Sequence, residues 1–75
     1  MIEYIIKKFP NGNIYEEYSL LDGKKQGNYK SYHSNGQLLI ECNYEGGLIH
    51  DYFKAFDNKG ETITLEKYYL GNLID

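Results

Sequence analysis

Residues Tyr32-His33-Ser34-Asn35-Gly36-Gln37-Leu38-Leu39-Ile40-Glu41-Cys42-Asn43-Tyr44-Glu45-Gly46-Gly47-Leu48 decide how this chain folds. Asn35-Gly36 separates two runs of β-formers, the short-range signature of a two-residue type I′ hairpin, in which both central residues need φ > 0. A second glycine turn follows at Gly46-Gly47. The stretch also recurs: Gly12, Gly36 and Gly60 are 24 residues apart, as are Gly23, Gly47 and Gly71. Two glycine turns per period mark a repeat architecture.

Alanine occurs once, and glycines interrupt every window long enough for a helix. Six strand-like runs emerge, at residues 2–9, 13–21, 28–33, 37–45, 51–57 and 61–70. Short connections make consecutive strands antiparallel neighbours. The expected fold is therefore all-β: a single-layer antiparallel β-meander of about six strands built from 24-residue hairpin repeats. The 75 residues form one domain, with repeats at 8–31, 32–55 and 56–75 and residues 1–7 as a leading strand.

Side-chain chemistry supports the registers. A two-residue loop at Asn11-Gly12 sets Phe9 opposite Ile14, Lys7 opposite Glu16 and Ile5 opposite Tyr18. A loop at Asn35-Gly36 sets Lys30 opposite Glu41, Tyr29 opposite Cys42, Tyr32 opposite Leu39 and His33 opposite Leu38. Both hairpins thus oppose lysine to glutamate, which favours the register. In the middle strand Leu38, Ile40, Cys42 and Tyr44 share a side, and Ile14, Tyr18 and Leu20 match them in the first hairpin. The third hairpin breaks the pattern: the apolar parity moves to Ile63, Leu65 and Tyr69, while Thr62, Thr64 and Glu66 occupy the positions that were apolar before. Either a bulge flips that register or the opposite face comes into use.

Gly27-Asn28-Tyr29-Lys30-Ser31-Tyr32-His33-Ser34-Asn35-Gly36-Gln37-Leu38, continuing to Asn43-Tyr44-Glu45-Gly46-Gly47, resembles the MORN-repeat variant of bacterial proteins, members of which are labelled YwqK-type antitoxins. The resemblance covers nearly the whole chain. It departs at Gly27, which becomes Asp51 and Asp75; at Asn11 and Asn35, which become Lys59; and at Phe9-Pro10, which stands one residue nearer its turn than Tyr32 does. Such deviations at the ends fit capping repeats. The resemblance implies an elongated single-layer sheet used for protein contacts, without catalysis.

Aromatic and apolar positions fall into rungs across the repeats: Ile5, Tyr29, Phe53; Lys8, Tyr32, Phe56; Leu20, Tyr44, Tyr68. The rungs read as a structural ladder holding a thin sheet together, part of which is open to a partner. A single sheet with an apolar side needs a cover, so a partner protein or a second copy is expected there. The expected partner-binding residues are Tyr29, Tyr32, Tyr44, Tyr52, Phe53, Phe56, Glu41 and Glu45.

Other chemistries find little footing. The net charge is −3 and all eight basic residues are lysine, so the arginine fork for phosphate or guanine is missing; an AT-rich coding genome would give the same bias. Acidity also opposes the anionic-lipid binding discussed for some eukaryotic MORN proteins. No nucleic-acid or membrane partner is expected. His33, His50 and Cys42 lack metal-ligand spacing, so no metal and no cofactor are expected. Ser19, Ser31 and Ser34 lie in no nucleophile context, the adjacent Glu16 and Glu17 alternate faces, and the glycines lack the strand–loop–helix setting of a phosphate loop. The chain reads as a non-enzyme. One cysteine, no signal-peptide pattern and no long apolar run point to the cytoplasm.

The leading functional expectation is a non-enzymatic protein-binding module, antitoxin- or immunity-like, acting by occlusion. Glu16, Glu17, Glu41 and Glu45 would contribute toward a basic partner. The alternative is a small phage- or mobile-element-encoded inhibitor of a host defence nuclease, its carboxylates mimicking nucleic-acid phosphates. A third class is self-association, with a homodimer expected through the strand at 61–70 or through the apolar face. Tyr69→Lys would disturb the former.

Overall fold

The computed structural model describes residues 1–74. Asp75, and with it the last position of the third repeat, lies outside the described residues. Eight strands form one open antiparallel sheet: β1 (Ile2–Lys8), β2 (Ile14–Leu21), β3 (Lys24–Lys25), β4 (Gly27–Tyr32), β5 (Leu38–Glu45), β6 (Leu48–Phe56), β7 (Thr62–Tyr69) and β8 (Asn72–Ile74). The path runs β1-β2-β4-β5-β6-β7-β8, with β3 also on β2, so it is a meander. No helix is present among the described residues. The sheet measures 33 × 33 × 10 Å, one layer thick. Its radius of gyration, 12.9 Å, exceeds the about 11.4 Å of a compact domain of this length.

Two short strands account for the difference between eight and six. β3 and β8 follow the second-type turns at equivalent places in their repeats. In the middle repeat the corresponding residues simply begin β6 at Leu48, so that strand is longer than expected. A backbone kink recurs here too: Gly27 has φ 86° and Asp51 φ 76°. The glycine-to-aspartate change thus keeps the left-handed conformation, which aspartate tolerates better than most residues.

The Asn-Gly turns are not the two-residue type I′ turns expected of them. At the Asn-Gly turns only the glycine is left-handed, with φ 91° at both Gly12 and Gly36. The Gly12 N–H donates to the Phe9 carbonyl while the Phe9 N–H donates to the Asn13 carbonyl, and Gly36, His33 and Gln37 repeat this pattern. Each is a three-residue loop, a type I turn closed by a left-handed glycine. The true two-residue type I′ turns are Asp22-Gly23 (φ 51° and 84°), Gly46-Gly47 (59° and 89°) and Leu70-Gly71 (46° and 88°).

The extra loop residue is absorbed by a register shift just before each Asn-Gly turn. Lys7↔Glu16 and Ile5↔Tyr18 pair as expected, but Lys8 opposes Ile14 and Phe9 bonds to Asn13. Tyr29↔Cys42 and Lys30↔Glu41 hold, while Tyr32 faces Leu38 rather than Leu39 and His33 bonds to Gln37 rather than pairing with Leu38. The third hairpin repeats the geometry, with Ala55↔Thr64 followed by Phe56↔Thr62. No bulge flips its faces, so Ile63, Leu65 and Tyr69 end on the opposite side of the sheet.

Candidate protein-binding face

Partners directly across an antiparallel pair share a face, so following pairs across the sheet defines its two sides. One side carries the row Lys7, Glu16, Ser31, Ile40, Ala55, Thr64 and, one rung along, Tyr29, Cys42, Phe53, Glu66. The other carries Ile6, Glu17, Lys30, Glu41, Lys54 and Leu65 in one continuous row. The first is the ladder face, the second the charged face.

The ladder face holds the sheet together. Cys42, 2% exposed, is the one fully buried hydrophobic side chain among the described residues. The rings of Tyr18 and Tyr29 stack at 5.7 Å, Tyr29 meets Tyr44 edge-on at 5.8 Å, and Phe53 meets Tyr68 at 6.3 Å. Lys25, from β3, sets its ammonium over three of these rings at once: Tyr18 at 5.0 Å, Tyr29 at 4.9 Å and Tyr44 at 5.2 Å. At the equivalent places of the next repeats stand Ile49 and Leu73, so the aromatic cluster takes a cation where the repeat otherwise places an aliphatic chain. Glu16 accepts a bond from the Tyr29 hydroxyl and lies 3.4 Å from Lys7. Burial first, then this carboxylate, pushes the Tyr29 hydroxyl well above the usual phenol range. Burial also raises the Cys42 thiol, to about 11, despite the opposing pull of Lys25.

The charged face alternates sign across four strands, Glu17, Lys30, Glu41, Lys54, with Lys30 and Glu41 4.0 Å apart. Glu17 is also a hydrogen-bond hub: the Tyr4 hydroxyl donates to one oxygen and the Tyr32 hydroxyl to the other, each at 2.6 Å. Those bonds, Tyr32's ahead of Tyr4's, hold the Glu17 carboxyl below its ordinary value. Burial and the Glu17 carboxylate push the Tyr32 hydroxyl up to about 12.

Toward the C-terminal edge this face changes character. Ile63 is 64% exposed, Leu65 61% and Tyr69 59%, and they lie with exposed Tyr52 and Ile74. The Lys67 ammonium stands 5.5 Å over the Tyr52 ring. β8 pairs only with Lys67–Tyr69 of β7. Beside its end lies an open depression of about 360 Å³, lined by Tyr52, Leu65, Glu66, Lys67, Leu73 and Ile74.

The eight residues expected to bind a partner are therefore divided. Tyr29, Tyr44 and Phe53 are half-buried members of the ladder face. Glu41, Tyr32, Tyr52, Phe56 and Glu45 belong by alternation to the charged face, Tyr32 committed to Glu17 and Glu45 bonded to the Gln26 amide at 3.3 Å. Only Tyr52 joins the exposed apolar cluster. Ile63, Leu65, Tyr69 and Ile74 were absent from that expectation, although the broken parity of the third hairpin was a signal for the first three. Glu16 and Glu17 lie on opposite faces, each engaged with tyrosine.

Both histidines serve the backbone. His33 Nε2 lies 2.9 Å from the Phe56 carbonyl, and His50 Nδ1 accepts from the Leu70 N–H at 3.2 Å. The Asn-Gly turns are tied to one another: the Asn11 amide donates to the Ser34 carbonyl at 3.0 Å, and that of Asn35 to the Asn58 carbonyl at 2.9 Å. Where Lys59 replaces the asparagine, Asp57 takes over the turn, accepting from the N–H groups of Lys59 and Glu61. No group of three or more metal-ligating side chains comes together among the described residues. Comparison of the chain with protein-family models, curated proteins and solved structures gave no match.

Proposed function

We propose that this chain is a protein-binding repeat module that silences or scaffolds one partner by occlusion, an antitoxin- or immunity-like role in keeping with the MORN-like pattern of its sequence. The observation that carries this reading is the exposed cluster of Tyr52, Ile63, Leu65, Tyr69 and Ile74 on one face of a sheet a single layer thick. Exposed apolar side chains that surround Lys67, with Lys54 and then Glu41 in the row that continues from Leu65, have the composition of an interface core beside a charged margin. The cluster's position on an extended slab one layer thick suits flat occlusion of a partner's working surface. The carboxylates of this face support apolar docking rather than phosphate mimicry, because Glu17 and Glu41 alternate with Lys30 and Lys54.

The test compares tagged wild-type chain with Leu65→Lys, both expressed in the native cells. Leu65 is exposed, so the variant keeps its fold, as circular dichroism would verify. The reading expects a stoichiometric protein with the wild type, its loss with the variant, and suppression of that protein's isolated activity by the wild type alone. Equal recovery with both chains, or an activity untouched by excess wild type, would overturn it.

A further inference from the structure

The edge strand β1 carries a sequence that is complementary to its own reverse in charge and matched to it in bulk: Glu3-Tyr4-Ile5-Ile6-Lys7, an acid at one end, a base at the other, and large apolar or aromatic residues between. Only one of its sides is used. Residues Ile2 to Lys8 pair with β2, and nothing covers the other side among the described residues. Seven residues of free edge, with no proline, are a strong template for another strand. Every side chain of β1 is exposed except the half-buried Ile5. At the start of the strand the Met1 ammonium lies 3.1 Å from Asp22 and the Met1 carbonyl accepts from the Asp22 N–H.

We infer that β1 is a self-recognition edge that pairs antiparallel with β1 of a second copy, centred on Ile5. Several constraints converge on that register. A closed two-fold pair of antiparallel strands has its axis perpendicular to the sheet, so odd residues face odd and even face even. Because Met1 turns its carbonyl toward β2, alternation turns the N–H and C=O groups of Ile2, Tyr4, Ile6 and Lys8 outward. In the Ile5-centred register these outward residues meet one another, Tyr4 with Ile6 and Ile2 with Lys8, so every outward group finds a partner. The same register puts Ile5 against Ile5 and places each Glu3 against a Lys7 of the other copy. Sliding by two residues either way leaves Glu3 opposite Ile5 or Lys7 opposite Ile5, and shortens the ladder.

The ion pairs complete an arrangement already half built. Lys7 lies 3.4 Å from Glu16 on its inner side, and Glu3 of the other copy would flank it on the outer side, extending the acid–base alternation across the joint. Directly opposed unlike charges favour a register and like charges oppose it. On the other face Tyr4 and Ile6 would cover each other, and both are exposed in the single chain. The product is one sheet of twice the width, with the ladder faces of the two copies continuous and both apolar clusters on the same side at the far ends. This inference is independent of the proposed partner site, which lies at the opposite edge of the sheet.

A strand-to-strand contact buries less than the about 1,200 Å² typical of stable interfaces, so association should be concentration-dependent. Sedimentation equilibrium across about 10 µM to 1 mM, a range that brackets weak interfaces, reads it. The expectation is a mass rising toward twice the monomer for the wild type. Glu3→Lys and Lys7→Glu each place like charges in opposition and should stay monomeric. Mixing the two variants restores both unlike pairs, so a heterodimer should appear at least tenfold more tightly than either variant alone. Circular dichroism confirms that each variant is folded, and Tyr69→Lys at the other edge should dimerise as the wild type does. A wild type monomeric at the highest concentration, self-association unchanged in Glu3→Lys, a mixture that stays monomeric, or a dimer abolished by Tyr69→Lys would each overturn the inference.

Discussion

Replacing Glu17 with glutamine probes the one hub that ties three strands together on the charged face. Its two oxygens each accept a tyrosine hydroxyl at 2.6 Å, from Tyr4 on β1 and Tyr32 on β4. Glutamine keeps the shape but turns one acceptor into a donor and removes the charge that faces Lys30. A hydrogen bond to a charged group contributes about 1.5–3 kcal/mol when shielded. Tyr4 is largely exposed, which leaves the half-buried Tyr32 bond as the main contributor, and after discounting for solvent the expected loss is about 1–2 kcal/mol. For a domain this small each kcal/mol moves the midpoint by about 4–8 °C. The assay is urea unfolding followed by circular dichroism, repeated from pH 7 downward. The Glu17 carboxyl is held below its usual pKa of 4.5 in the folded chain. A lowered folded pKa contributes stability that is complete above the unfolded value and disappears as the pH falls through the folded one. The gap between wild type and variant should therefore be widest near neutrality and close as the pH drops below 4.5. A gap of the same size at pH 7 and pH 3, or no gap at pH 7, would refute the hub.

Three further outcomes follow from single positions. Leu70 holds φ 46° beside Gly71, a left-handed conformation costly for a branched side chain, so Leu70→Gly should stabilise by about 0.5–1 kcal/mol and raise the thermal midpoint. The Ser31 hydroxyl is buried without a hydrogen-bond partner; Ser31→Ala should be neutral or stabilising by about 1 kcal/mol in urea titrations, where most buried truncations destabilise. Cys42 is buried, with its thiol pushed up to about 11, so iodoacetamide at pH 8 should label it only at the rate at which the sheet opens, and fully in denaturant.

The period and the side-chain partners were legible because each rests on a local constraint. Left-handed backbone at every glycine of the two turn series fixes where the chain reverses, and Lys7 with Glu16 and Lys30 with Glu41 fix what faces what. Turn type was not read correctly, and the reason is local as well. Asn-Gly suits two loops, the type I′ turn and the type I turn closed by a left-handed glycine, and in the first hairpin the residue before the pair separates them. Pro10, with φ set near −65°, belongs at the second position of a type I turn, which makes the loop three residues long and shifts the pair beyond it. Asp22-Gly23 and Gly46-Gly47 are the pairs with type I′ chemistry. The role of the aromatic rungs was less legible: at period 24 they look like a platform, yet Tyr29 packs edge-on against Tyr44 beneath Lys25, and Phe53 packs against Tyr68.

The third hairpin shows why that packing decides the exposed surface. A slip of one residue would carry Ile63 and Leu65 to the ladder face and relieve their exposure, at about 25 cal/mol for each Å² of apolar surface covered. The same slip would carry Tyr68 away from Phe53 and move every later residue of β7 across the sheet. It would also break the common loop geometry, which places Phe56 opposite Thr62 just as Tyr32 stands opposite Leu38. The turn, repeated three times with one geometry, therefore sets the register, and the apolar residues accept the face it assigns. A local pattern that disagrees with the fold's own register is where function is expected to have overruled stability. Ile63 and Leu65 are that disagreement. Replacing both with threonine would make β7 conform to the charged face, and if the cluster serves a partner the doubly substituted chain should keep its midpoint within about 0.5 kcal/mol, as exposed positions do, while losing the partner.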